Sequence, residues 1–337
     1  MKQALIFLLL FMTLPAVASH RHRSRSPIAM TTSSVGAKID AFSARMAAQH
    51  QFDRQEIHDF LTRTEPNMDV FKFFNRKAKK NFTPEELEEL KLLAQLRIQH
   101  GVEFWNKNQK ALDKAQLVYG VPAEVIVGLI GIETSYGSYL GKFKEHQVLV
   151  TLAFYGDHRS SYFQTELESF LVLSREFGWD RENIPCSYAG AVGIPQFMPD
   201  NMKPYAVDFD DDGRVDLMDP ADAIGSVASF LSQHGWVKGE AIATRTGARI
   251  ARKTFVLRTL PGPAPTIWKK QENFTVIRRY NPLDSYAMAI FILANKVKDV
   301  KDHQLEPIEI DSVQIEAPPE SDEEPMINSN EISNLMF

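Results

Sequence analysis

Beyond the N-terminal leader, the most continuously apolar stretch is 122–132, where Val125, Ile126, Val127, Leu129, Ile130 and Ile132 leave no polar face. A helix apolar all round is buried on every side, which places this one at the centre of the molecule. The surrounding pattern is helical too. Thr83-Pro84-Glu85-Glu86 has the form of a capping box with Pro at the first helical position. Leu87, Leu90, Leu93, Leu96 and Ile98 follow on one face. Gly120 closes the next helical stretch and Pro122 opens the apolar one. Helical spacing returns at 161–176, 221–234 and 285–297, the last through Ala287, Ile290, Phe291 and Leu293. Residues 240–280 differ: short β-branched runs at 254–257 and 274–277 flank Pro261-Gly262-Pro263, which predicts a small β-containing insertion. The pattern is that of a mainly α protein without internal repeats.

The ends of the chain read differently. Lys2, an apolar run at 4–14 and Ala16-Val17-Ala18 form a secretory leader, so 1–19 is expected to be a cleaved signal peptide. The run is short of the roughly twenty residues a spanning helix needs, and no later segment reaches that length. The expected product is a periplasmic or secreted soluble protein; no cysteine follows the leader to accept lipid. Residues 20–35, rich in His, Arg, Ser and Thr, read as a disordered linker, and 306–337 as a disordered acidic tail. That tail holds nine Asp or Glu and no Lys or Arg, within a formal net charge of −5. It could recruit a protein partner or only aid solubility. With the tail and leader set aside, the body is mildly basic, which suits an anionic polymer but is too weak for nucleic acid. Cys186 is the only cysteine, so an intramolecular disulfide is excluded, and no His stands near it to make a nucleophile.

The chemistry centres on Glu133, at the end of the apolar helix, with Thr134-Ser135-Tyr136-Gly137 following as a turn. Burial and the negative end of the helix dipole both disfavour a charged carboxylate there, so Glu133 is expected to carry a proton near neutral pH. A protonated carboxyl group can deliver that proton to a leaving oxygen. The run 187–199 is rich in small residues that let a large ligand approach the backbone. Within it, Ser187 and Gln196 offer hydrogen bonds and Phe197 an apolar face. Asp157 and Glu145 are candidates for a second carboxylate, but both stand in polar stretches and read as surface charges.

These motifs carry a resemblance. Gly131-Ile132-Glu133-Thr134-Ser135-Tyr136-Gly137, the run 187–199, Tyr205-Ala206-Val207-Asp208-Phe209-Asp210 and Asp219-Pro220-Ala221-Asp222-Ala223-Ile224-Gly225-Ser226 resemble, in order, the membrane-bound lytic murein transglycosylase B family. The likeness runs from about residue 70 to Lys296 and takes in Tyr119-Gly120-Val121-Pro122 and Arg279-Tyr280-Asn281. It implies a lysozyme-like helical catalytic core with a helical lobe and a small β-containing lobe. The catalytic region would then be 36–305, its core about 115–238 and its insertion about 240–280. The resemblance makes Glu133 the acid and base. It assigns Ser187 and Gln196 to N-acetylated sugars, Tyr280, Asn281 and Tyr286 to the cleft lining, and Arg159 and Tyr162 to a pair near the same groove. Ser135 departs from the family by standing where a bulky basic residue is often found, which leaves one subsite contact without its usual side chain. The implied substrate is the glycan strand of peptidoglycan, cut between MurNAc and GlcNAc to leave a 1,6-anhydro sugar. Two readings compete with it. A water-using muramidase needs a second placed carboxylate, and a non-catalytic wall-binding protein would have no need of an intact Glu133.

One further motif predicts a metal. Asp208-Phe209-Asp210-Asp211-Asp212-Gly213-Arg214 opens like an EF-hand loop, with carboxylates at positions 1, 3 and 5, Gly at 6 and the Arg214 carbonyl at 7. Asp219 occupies position 12, yet Asp219-Pro220-Ala221-Asp222 is also a helix start with Asp219 as N-cap. The resemblance points to Asp222 as the closing ligand. A structural Ca²⁺ is the expected cofactor, and no organic cofactor is implied. The nine His are scattered and form no His-Glu-x-x-His.

Overall fold

The computed structural model describes residues 32–74, 78–79, 84–156, 159–246, 254–257, 266–303 and 326–327. The leader, residues 20–31, Asp157 and all of the acidic tail except Met326–Ile327 lie outside them. Those two residues pair in parallel with Ala78–Lys79.

The helices are α1 (Thr32–His50), α2 (Arg54–Arg63), α3 (Val70–Phe74), α4 (Pro84–Lys107), α5 (Gln109–Tyr119), α6 (Ala123–Thr134) and α7 (Glu145–Val150). A π turn, Thr151–Tyr155, continues α7. Then come α8 (Ser160–Glu176), α9 (Pro199–Tyr205), α10 (Pro220–Gln233), α11 (Glu272–Tyr280) and α12 (Asp284–His303). α1 begins inside the stretch expected to be linker. Val35, Ile39, Phe42 and Met46 are buried at helical spacing, so that apolar face carries the helix back past Gly36 to Thr32.

α6 is the axle of the fold, buried from Ala123 to Thr134 except at Glu124. It lies along α12, and a Cβ at Gly128 would come within 3.1 Å of the Ala294 Cβ. Only glycine lets the two helices meet this closely. Gly120 ends α5 with φ +72°, a left-handed cap that turns the chain into α6. Among the described residues no single helix is long and apolar enough to cross a membrane.

Strands are short. β1 (Phe143–Lys144) pairs antiparallel with β2 (Pro185–Cys186) and brings the chain to Ser187. β3 (Ala243–Thr246), β4 (Thr254–Leu257) and β5 (Thr266–Lys270) form an antiparallel sheet with β5 in the middle. Trp268 of β5 packs edge-on against Phe291 of α12, ring centroids 5.0 Å apart, which fixes the small sheet to the helical body. The β-branched run 274–277 is not a strand but part of α11. Phe274 and Ile277 are three residues apart and both buried, and that helical spacing overrides β propensity.

Candidate active site

α6 ends in three successive left-handed residues: Ser135 (φ +47°), Tyr136 (φ +63°) and Gly137 (φ +82°). The Ser135 and Tyr136 amides donate back to the Gly131 and Ile130 carbonyls. Two non-glycine residues in this region cost free energy, and packing holds them there. The Tyr136 ring fills the space over Gly131 and Gly101, where an added Cβ would lie 2.5 Å from its hydroxyl. The turn leaves Glu133 at the helix end with 3% of its surface exposed. Its Oε1 accepts a hydrogen bond from the Tyr286 hydroxyl, while Oε2 is buried without a partner among the described residues. Burial pushes the Glu133 pKa well above the ordinary carboxylic value, and the Tyr286 bond opposes part of that rise. Burial thus favours the protonated form of the group.

Opposite stands the loop 187–198. Ser187 Oγ accepts from the Ala189 and Ala191 amides at 3.3 and 3.0 Å, closing a tight turn. Gly190 (φ +87°) is needed there, since a Cβ would meet Leu149 at 2.8 Å. Gln196, itself at φ +53°, donates its side-chain amide to the Gly193 carbonyl at 2.9 Å. The Tyr280 hydroxyl donates to the Pro195 carbonyl. Its ring packs on Phe197 and Phe230, with centroids 5.7 and 4.7 Å away. Glu133, Ser187, Gln196, Phe197, Tyr280 and Asn281 thus line one cleft. Glu133 is the only carboxyl group on its wall among the described residues.

The acidic loop lies behind this wall. Asp222 Oδ1 and Oδ2 accept from the Phe209 and Asp216 amides at 2.6 and 2.7 Å, clasping both arms of the loop. Carboxylate oxygens of Asp208, Asp210 and Asp222 all lie within 4.8 Å of one another. Burial raises the Asp222 pKa, and the charges of Asp210 and Asp219 push it the same way. Asp219 turns away: its Oδ1 caps α10 through the Ala221 and Asp222 amides. Asp212 Oδ1 accepts from the Arg214 amide at 2.8 Å, and Gly213 makes the bend with φ +87°. Three converging hard oxygen donors fit a calcium-sized cation.

A family model described as the transglycosylase SLT domain matches residues 34–261. The chain belongs to that family. Membrane-bound lytic murein transglycosylase B of Escherichia coli K12 is 34% identical over 304 residues, which cover 76% of this chain and 81% of the relative. Among solved structures, the E. coli lytic transglycosylase SLT35 in complex with calcium has a TM-score of 0.66 at 34% identity, covering 79% of this chain and 94% of that one. SltB3 of Pseudomonas aeruginosa, solved with NAG-NAM-pentapeptide, has a TM-score of 0.65 at 25% identity, covering 79% and 80%.

In this SLT-domain transglycosylase not every residue singled out from sequence reaches the cleft. Tyr286, expected on the cleft lining, is 2% exposed and stands behind Glu133 as its hydrogen-bond partner. Arg159 and Tyr162 form a separate pair at the start of α8, the guanidinium 4.1 Å above the phenol ring. Ser135, which stands where the family often has a bulky basic residue, is 4% exposed within the helix cap. Cys186 is fully buried, and burial raises its thiol pKa well above the usual range. That is an inert thiol.

Glu145 corrects its surface-charge reading. It is 0% exposed, and neither carboxyl oxygen has a hydrogen-bond partner among the described residues. Its amide donates to the Ile184 carbonyl, which draws the head of α7 under the β1–β2 pair, and Val148, Leu149 and Val150 then fill the core. The polar flank around Glu145 gave no sign of this. Sequence reasoning also passed over Tyr188, Met198, Asn201, Phe230 and Pro282 in the cleft lining. Tyr188 and Met198 lay inside the run 187–199 already singled out, whereas Phe230 looks like any core position of an amphipathic helix.

Removing the Tyr286 hydroxyl removes the one contact that lowers the Glu133 pKa. With Glu133 as the acid that the sequence leads one to expect, the alkaline limb of the rate profile should move to higher pH in Tyr286→Phe, because Glu133 keeps its proton longer. The maximal rate should fall about tenfold as the carboxyl group loses its orienting bond. A pH series of initial rates checks both; an unmoved limb would remove Tyr286 from the acid's environment.

Proposed function

We propose that this chain is a peptidoglycan lytic transglycosylase in which Glu133 alone serves as acid and then as base. The observation that carries the reading is the single buried carboxyl group on the cleft wall, its Oε2 without a hydrogen-bond partner among the described residues and its pKa raised by burial. Glu133 gives its proton to the oxygen between MurNAc and GlcNAc, and the C1–O bond breaks. The substrate's own N-acetyl oxygen supports C1 meanwhile. The Glu133 carboxylate, now charged in a dry niche, takes the proton from the C6 hydroxyl, and that oxygen closes onto C1. The acid is restored, the product ends in 1,6-anhydro-MurNAc, and water takes no part. A hydrolase would need a second carboxylate to activate water or attack the sugar, and the described cleft wall offers none. Ser187, Gln196, Tyr280 and Asn281 would hold the N-acetylated sugars, with the pair Arg159 and Tyr162 further along the strand. SltB3 holding NAG-NAM-pentapeptide supports this substrate class. The leader pattern at 1–19 would deliver the enzyme to the wall compartment, where that substrate lies.

Product masses test the reading. Digested sacculi should yield muropeptides lighter by one water than reducing-end MurNAc products. Reducing ends alone would mean a hydrolase.

For the acidic loop we propose a structural Ca²⁺ held by Asp208, Asp210, Asp212, Asp222 and the Arg214 carbonyl. The calcium complex of SLT35 supports this. A cation there would supply counter-charge to the converging carboxylates and take no part in bond breaking. Calcium at ten times its Kd should stabilise the fold by about 1.4 kcal/mol, raising Tm by roughly 3 °C. Calorimetry with calcium and with EDTA measures this, and Asp208→Asn should abolish the difference.

A further inference from the structure

The acidic loop and the active site share backbone. Leu217 follows Asp216, whose amide is held by Asp222 Oδ2 at 2.7 Å. The Leu217 carbonyl accepts the Ile194 amide at 2.9 Å. The Ile194 carbonyl in turn accepts the Thr134 hydroxyl at 3.0 Å, and Thr134 is the residue after Glu133. Thr134 is 0% exposed, and its hydroxyl also accepts the Gly137 amide at 3.0 Å. Its donor and acceptor are thus both used to tie the end of α6 to the loop opposite. Contact between the two loops is close: a Cβ on Gly193 would lie 2.6 Å from the Leu217 Cβ and 2.7 Å from its carbonyl oxygen. Gly193 also accepts both the backbone and the side-chain amide of Gln196, at 3.2 and 2.9 Å. One junction, Gly193–Ile194, therefore sets both Gln196 and the turn that carries Glu133.

We propose that Thr134 and the Ile194–Leu217 pairing are positioning elements that couple cation occupancy of the 208–222 loop to the placement of Glu133 and Gln196. The inference rests on the calcium reading of that loop and, for its catalytic readout, on the glycan-cleaving reading. Its physical basis is that Asp222 serves two masters. As a cation ligand its carboxylate moves with the ion, and through the Asp216 amide it carries Leu217 along. Leu217 bears on Ile194, and Ile194 on Thr134. A misplacement of about 1 Å at the reacting groups is enough to cost two orders of magnitude in rate. Coupling of this kind raises activity when the loop is loaded.

Amide hydrogen exchange on the full chain, in EDTA and in calcium chloride, tests this without any substrate. Calcium should slow exchange within 208–222. It should also slow the amides of 193–197 and 133–139 by about fivefold or more, the lower end of ordinary coupling energies. Thr134→Val, which keeps the shape and loses the hydroxyl, should retain the response at 193–197 and lose it at 133–139; Thr134→Ser should restore it. In turnover on purified sacculi, wild type and Thr134→Ser should gain about fivefold in kcat with calcium at unchanged KM, and Thr134→Val should gain nothing. Protection confined to 208–222 in the wild type overturns the proposal whether or not the valine variant folds. No calcium response at all overturns it too, as does a full response at 133–139 in Thr134→Val. Wild type that shows the exchange response yet cleaves no sacculi would sink the glycan reading and leave the coupling standing.

Discussion

Glu133→Gln should lower turnover of purified sacculi by about a thousandfold or more while leaving a folded protein. Proton transfer by a placed acid is ordinarily worth about two to four orders of magnitude, and in the proposed mechanism the same group performs both transfers. The amide keeps the size of the carboxyl group and can accept the Tyr286 hydrogen bond through its oxygen, so the cleft should persist. It has no proton to give and cannot take one back. Thermal unfolding separates lost chemistry from lost fold: the glutamine variant should melt no lower than wild type, because an amide never bears the charge that burial penalises at Glu133. Binding to sacculi by co-sedimentation should survive. A variant that binds, folds and still cleaves at the wild-type rate would mean that the bond is broken by another group, and the proposed function would fall with it.

Glu145→Leu should stabilise the protein by about 2 kcal/mol at neutral pH, the ordinary cost of a buried polar group left without partners. The carboxyl group is fully buried, and burial raises its pKa well above the ordinary value, with the Glu166 charge adding to the rise. The sign of the pH dependence follows. A carboxyl group whose folded pKa is raised binds its proton more tightly in the folded chain, so its contribution to stability is fullest below the unfolded pKa, near 4.5. As pH climbs above that value toward the raised folded pKa, the unfolded chain ionises freely, the folded one does not, and stability drains away. The leucine variant lacks this contribution. Its advantage over wild type should therefore be small near pH 4 and widen toward neutral pH, which denaturant titrations at several pH values would reveal. An advantage constant with pH would mean that Glu145 ionises as freely in the fold as out of it.

Much of this site was legible in local pattern. An all-apolar helix announces its own burial, and a carboxyl group at its end inherits that burial, so the raised pKa of Glu133 followed from eleven neighbouring residues. The glycine at 120 and the acidic loop were equally readable, because a left-handed cap and a ring of converging carboxylates are made by residues close in sequence. Asp219 and Asp222 were harder. Either could close the loop by spacing; in the fold Asp219 caps α10, while Asp222 clasps the Phe209 and Asp216 amides beside Asp208 and Asp210.

Other features have no local signature. Tyr286 reaches Glu133 across 153 residues of chain, and nothing around either residue encodes that meeting. Helical spacing says which face of α12 is buried, not which residue of α6 it will touch. The run 274–277 misled because β-branching is a weak preference, and the packing of Phe274 and Ile277 on one helical face outweighed it. Glu145 misled in the opposite sense: polar neighbours suggested solvent, and the β1–β2 pair drew it inside. What sequence alone determined, then, is what neighbours along the chain can impose: elements, caps, a buried carboxyl group at a helix end and an acidic loop. Tertiary structure alone decided the acid's partner, the burial of Glu145 and the bonds joining Thr134, Ile194 and Leu217. Those depend on distances between segments far apart in the chain, which a short-range periodicity does not contain.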